Sequence, residues 1–135
     1  MDEIDWLVKA EQVAQCGRFI QGVSVDEYLN KIKKSAEFLT HSINGQCAGF
    51  VAFYCNDQRG KQAFITLLLV APDFRGQKVA SALLGGVFSL SRSRGFHTCQ
   101  LEVDIDNCAA IKLYEKFGFR SVLSEGSRNK MVCVL

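Results

Sequence analysis

Ile4, Leu7, Ala10, Val13 and Ala14 recur at helical spacing, so the chain opens with a helix. Ser24 stands before "VDEYLNKIKK", and Ser24 or Asp26 can cap a second, short helix. The segments 36–43 and 46–55 read as strands, with Asn44-Gly45 between them as a hairpin turn. Residues 56–61 form another turn. "QAFITLLLV" (62–70) is nearly all apolar, the pattern of a central strand covered on both faces. Ala71-Pro72 stops it, because proline lacks the ladder donor.

"DFRGQKVASALL" (73–84) then runs from loop into helix, and the helix continues to about Arg94, with Gly95 beyond it. Gly85 and Gly86 sit inside that helix, where close packing on a sheet would account for them. Residues 97–104 alternate. Cys99, Leu101 and Val103 take one face; Gln100, Glu102 and Asp104 take the other, which suggests a strand looking into a wet cleft. Asp106-Asn107 can cap the next helix, "CAAIKLYEKF", and Gly118 ends it. "FRSVL" and "KMVCVL" make a final strand pair around the short loop "SEGSRNK". The order of elements is that of one α/β domain over residues 1–135.

Bulk properties narrow the function. The net charge is only +2, from 16 basic and 14 acidic side chains, with no run of Lys or Arg, so no nucleic-acid partner is expected. No apolar stretch approaches the roughly 20 residues of a membrane span. The acidic start "MDEIDWLVKAEQ" has no signal-peptide core. The six cysteines never stand at C-x-x-C spacing and no histidine completes a zinc set, so no metal is expected. Reduced cysteines used as small core residues, in a cytoplasmic protein, are the default. His41 and His97 read as structural, and Trp6 as core or substrate-wall filler.

Alone, the segment from Arg75 to Ser81 reads either as a plain strand–helix connection or as an anion cradle of backbone N–H groups. The larger pattern resembles the GNAT N-acetyltransferase superfamily. After its fourth strand that family has a loop of pattern [Q/R]-x-x-G-x-[G/A], here Arg75-Gly76-Gln77-Lys78-Val79-Ala80, with Lys78 where glycine is usual. Further on it has Asn-x-x-Ala-x-x-x-Tyr-x-x-x-Gly-Phe, matched in full by Asn107, Ala110, Tyr114, Gly118 and Phe119. The resemblance covers roughly residues 36 to 135, and the family's first strand has no clear counterpart.

The resemblance implies a mixed, mostly antiparallel sheet, flanked by helices, whose fourth and fifth strands splay apart. It implies acetyl-CoA as co-substrate, bound by the backbone of Leu68, Leu69 and Val70, by Arg75, Gly76, Gln77, Lys78, Val79, Ala80 and Ser81, and by Asn107. Tyr114 would protonate the departing thiolate. Glu102, five positions before Asn107, stands where ribosomal-protein N-terminal acetyltransferases have their base. Asp104 and Asp106 read as helix caps or as attraction for a cationic substrate. The acceptor would be a small amine, such as a metabolite or amino sugar, or a peptide N-terminus. A homodimer, with a second copy completing the substrate wall, is left open. The competing reading is a non-catalytic acyl-CoA-binding or structural domain.

Overall fold

Local signals fix where each element starts. In the computed structural model, which describes residues 2–135, Asp2 caps α1 (Glu3–Ala14) by accepting from Asp5 N at 2.8 Å. Ser24, not Asp26, caps α2 (Val25–Ser35), accepting from Glu27 N at 3.1 Å. β1 (Glu37–Ile43) and β2 (Gln46–Tyr54) flank Asn44-Gly45, both at positive φ, 51° and 79°, as a two-residue hairpin turn requires. β3 (Gln62–Val70) leads through a single 3₁₀ turn (Pro72–Phe74) to α3 (Val79–Ser93). Then follow β4 (Thr98–Asp104), α4 (Cys108–Lys116), β5 (Arg120–Glu125) and β6 (Arg128–Val134). Among the described residues the first strand comes only after both α1 and α2.

The six strands lie in the order β1-β2-β3-β4-β6-β5. The sheet is mixed and mostly antiparallel, with β3 and β4 as its parallel pair. That ladder covers Gln62–Ile65 on β3 and Thr98–Leu101 on β4. Both strands continue past it, β3 to Val70 and β4 to Asp104.

The chain divides into two compact units. The first comprises the chain up to Ala52 together with Leu67–Leu84. Its core joins α1 and α2 to the strands through Leu7, Val8, Leu29, Ile32, Phe50 and Leu69, all buried. The second comprises Phe53–Thr66 and Gly85–Leu135. There Phe88 of α3 meets Phe117 and Phe119, with ring centroids 6.3 and 5.7 Å apart.

Several expectations are corrected by burial. On β3 only Ala63, Ile65, Leu67 and Leu69 are fully buried; the alternate face is half-buried, not covered to the same depth. On β4 the polar face is split: Gln100 is buried and only Glu102 is exposed. Strands β5 and β6 take in Ser124, Glu125, Arg128 and Asn129, so the last loop shrinks to Gly126-Ser127. Trp6 is 62% exposed and fills no core. Cys55, Cys99 and Cys133 are buried free thiols as expected, but Cys16 and Cys108 are exposed.

Gly85 also departs from expectation. It is exposed, and a Cβ built on it meets no atom within 4 Å, so close packing is not why glycine stands there. Gly85→Ala is therefore expected to stabilise the protein by roughly 0.5–1 kcal/mol, the helix-propensity difference. Urea denaturation checks this; an unchanged or lower midpoint would show that Gly85 serves another need.

Candidate active site

The first unit holds the loop that the sequence motif marks. Arg75 is extended, at φ −67° and ψ 144°. Gly76 then takes φ 82° and Lys78 φ 62°, both left-handed, on either side of Gln77. Turns in which the sign of φ alternates gather successive N–H groups into a concavity suited to an anion. The Lys78 carbonyl accepts from Ala82 N at 3.1 Å, so α3 starts directly afterwards. Its first N–H groups, from Val79 onward, have no acceptor within the helix. The helix dipole adds the equivalent of roughly half a positive charge there.

Val79 is buried and anchors the turn, while Ala80 and Ser81 are half-buried. Lys78 is exposed, so its side chain lies toward solvent and its backbone keeps the shape that glycine usually provides. The residues present thus fit a pyrophosphate held by backbone.

Two residues that sequence reasoning missed hold this loop. Gly49 in β2 is the first. A Cβ there would stand 2.7 Å from the Leu69 carbonyl oxygen, 3.0 Å from Val79 Cγ1 and 3.2 Å from Val70 Cα. Glycine at that point lets β2 approach the end of β3 and the start of α3 without a clash. A glycine inside a strand pattern was the available signal. The second is Glu11 of α1, whose Oε1 accepts from Arg75 Nη2 at 2.8 Å. Arg75 Nε also donates to the Val70 carbonyl at 3.4 Å. The motif arginine is therefore spent on tying the loop to α1 and to the end of β3. Nothing local in the sequence links positions 64 residues apart.

In the second unit the Asn–Ala–Tyr–Gly–Phe motif acquires a physical meaning. Asn107 is the N-cap of α4 and accepts from Ala110 N at 3.2 Å. At the other end Gly118 adopts φ 99°, Gly118 N donates to Glu115 O, and Phe119 N donates to Tyr114 O, each at 3.0 Å. This is a Schellman closure, and it brings the residue after the glycine onto the residue five positions back. The Phe119 and Tyr114 rings accordingly meet edge to face, with centroids 5.7 Å apart and planes at 66°. The motif spacing thus runs cap to cap and fixes Tyr114.

Burial pushes the Tyr114 phenol up to about 12. Its hydroxyl has no hydrogen-bond partner among the described residues, so its proton is held and is not committed elsewhere. Glu102 lies on β4, exposed, directly across from Lys130 of β6. Its backbone carbonyl accepts from Arg128 Nη2 at 3.3 Å. Asp104 shapes the turn into α4, its Oδ1 accepting from Asp106 N at 2.9 Å, while the cap itself is Asn107 and neither aspartate caps the helix. Among the described residues no group of three or more His, Cys, Asp or Glu stands ready for a metal ion, and no helix is long and apolar enough to cross a membrane.

Comparison with known proteins identifies the family. The profile of the acetyltransferase (GNAT) family matches residues 5–119, so the chain belongs to that family. It is similar to an uncharacterised N-acetyltransferase of Methanocaldococcus jannaschii, 34% identical over 86 residues, covering 61% of this chain and 38% of the relative. It is also similar to an acetyltransferase of Pectobacterium atrosepticum, 34% identical over 85 residues, covering 63% of this chain and 58% of the relative. The chain thus spans less than two thirds of the length of either curated relative. In fold it matches the crystal structure of the PaiA N-acetyltransferase of Thermoplasma acidophilum in complex with coenzyme A. The TM-score is 0.79 at 18% identity, covering 98% of this chain and 91% of that one.

The buried groups make stability depend on alkaline pH. Burial pushes the Cys99 thiol from 9.0 to about 12, with Cys133 and Cys55 adding to the effect, and lifts Tyr114 from 10.0 to about 12. In the unfolded chain both groups return to their ordinary values. Stability is then full below about pH 9 and falls as pH rises toward 12, because the unfolded state releases protons that the folded state keeps. At roughly 1.4 kcal/mol per unit, the loss amounts to several kcal/mol. Urea midpoints measured at rising pH should fall. In Cys99→Val the slope should be shallower, and an equal slope would show that Cys99 is not the source.

Proposed function

We propose that the chain is one catalytic domain that transfers an acetyl group from acetyl-CoA to a primary amine by direct attack. The N–H groups of Gly76 to Ser81 would hold the pyrophosphate. The end of β3 at Leu68, Leu69 and Val70 runs past its ladder with β4, and such a strand end can pair with an extended ligand through backbone groups. A backbone N–H of the same stretch would polarise the thioester carbonyl. Glu102 would accept the amine proton, through water where the distance requires it, and Tyr114 would donate to the departing thiolate.

The observation that carries this reading is Tyr114: partly buried, fixed by both ends of its helix, and with a hydroxyl uncommitted among the described residues. Arg75 and Asn107 act here through the loop and the helix they hold, by the Glu11 tie and the α4 cap. The acceptor is a small amine or a peptide N-terminus. The neighbours named above as N-acetyltransferases support the reaction class, and nothing in their names chooses between these acceptors.

Calorimetric titration with acetyl-CoA, followed by thiol release across a panel of small amines and peptides, tests the reading. Binding with amine-dependent thiol release supports it. Binding without turnover on any amine replaces it with a non-catalytic acyl-CoA-binding domain, and no binding removes both.

A further inference from the structure

β5 is the edge strand of the sheet, and all six of its residues are exposed. Its centre is apolar: Val122 is 58% and Leu123 50% exposed. Its ends carry opposite charges, Arg120 and Glu125, and neither takes part in a salt bridge among the described residues. Protein edges usually discourage pairing with another strand, by like charge, proline or a bulge. The charges here do the reverse. Read in antiparallel against itself, "RSVLSE" sets Arg120 against Glu125, Ser121 against Ser124, and Val122 against Leu123.

An unbroken strand could not use that match, because residues five apart point to opposite faces. β5 is not unbroken. Its register with β6 shifts between Ser121 and Leu123, leaving Val122 as the extra residue. Arg120 lies opposite Val132, and Glu125 opposite Arg128. Those two β6 residues are four apart and share a face, so Arg120 and Glu125 share one too. The bulge, usually a blunting device, brings the two charges onto one side of the edge.

We infer that β5 is the contact through which two copies of this chain associate, antiparallel about a two-fold axis between Val122 and Leu123. Such an interface is isologous, so the Arg120–Glu125 pair occurs twice and the apolar centres meet at the axis. Six residues a side make a small interface, and the dimer is accordingly weak and sensitive to salt.

Sedimentation across micromolar to near-millimolar concentrations tests this. The wild-type mass should rise from 15.0 kDa toward twice that value. Arg120→Glu alone and Glu125→Arg alone each turn two attractions into two repulsions, and should weaken association about tenfold or more. The double exchange, Arg120→Glu with Glu125→Arg, should restore it. All three changes are on exposed side chains, and circular dichroism confirms that the fold is kept. A wild type that stays monomeric throughout overturns the proposal and leaves the edge to another kind of partner. Dimerisation unaffected by the single changes, or not restored by the double exchange, overturns it as well.

Discussion

Tyr114→Phe is expected to lower turnover by roughly 10²–10⁴-fold, while the fold and acetyl-CoA affinity stay as they are. The substitution removes one oxygen and keeps the ring that meets Phe119 at 5.7 Å, so the Schellman closure of α4 has no reason to change. Among the described residues the hydroxyl has no partner to lose. Its raised pKa, about 12, means that the proton is present at every working pH, so no alkaline limb below about pH 11 should come from this residue.

A phenol so weakly acidic would donate poorly to a thiolate in water. Burial lifts thiols as well, as Cys99 in the same unit shows by rising to about 12, so donor and acceptor stay matched if the departing thiolate is similarly desolvated. Steady-state kinetics with KM for acetyl-CoA, at a pH where chemistry limits the rate, decide the matter. Unchanged turnover there would remove Tyr114 from the mechanism.

What could be read from the sequence was what is encoded within a few residues. Ser24 before an amphipathic run, Asn44-Gly45 between alternating strands and Asn107 before α4 each act on their immediate neighbours, and each stands where its local chemistry indicated. The Asn107-to-Phe119 motif was legible as a whole only through the family resemblance, and its physical basis is that its cap and its closure lie within one helix. Periodicity also gave the two faces of β4, but not what covers them. Gln100 and Glu102 alternate identically, and only the packing around each decides that one is buried and the other exposed. Gly85 looked like Gly49, a glycine inside a regular element, yet the space around them is opposite, open at one and closed by Leu69 and Val79 at the other. The Glu11–Arg75 tie rests on a contact between α1 and a loop far along the chain, and no local pattern carries it.

The phosphate loop gives the second large effect. Ala80→Glu is expected to weaken acetyl-CoA binding by more than about a hundredfold, because it puts a carboxylate among the N–H groups where a pyrophosphate would lie. The same substitution should not harm the fold. An acidic side chain in the first turn of α3 is favoured by the helix dipole by roughly 0.3–1 kcal/mol, so folding and binding move in opposite directions. Lys78→Gly separates the backbone from the charge. Lys78 holds φ 62°, which costs a residue with a Cβ roughly 1–2 kcal/mol, while glycine gives back about 0.5–1 kcal/mol in unfolded-chain entropy. The net is a gain in stability of between about 0 and 1.5 kcal/mol. Affinity should stay within about tenfold, since the lysine is exposed and an exposed charge contact contributes about 1 kcal/mol or less. Calorimetric titration with acetyl-CoA and urea denaturation on both variants check these outcomes. Wild-type affinity in Ala80→Glu would reduce the loop to a connection between β3 and α3. An affinity rise of several orders of magnitude in Lys78→Gly would mark the lysine as an obstacle, and the chain as one whose acetyl-CoA site is impaired.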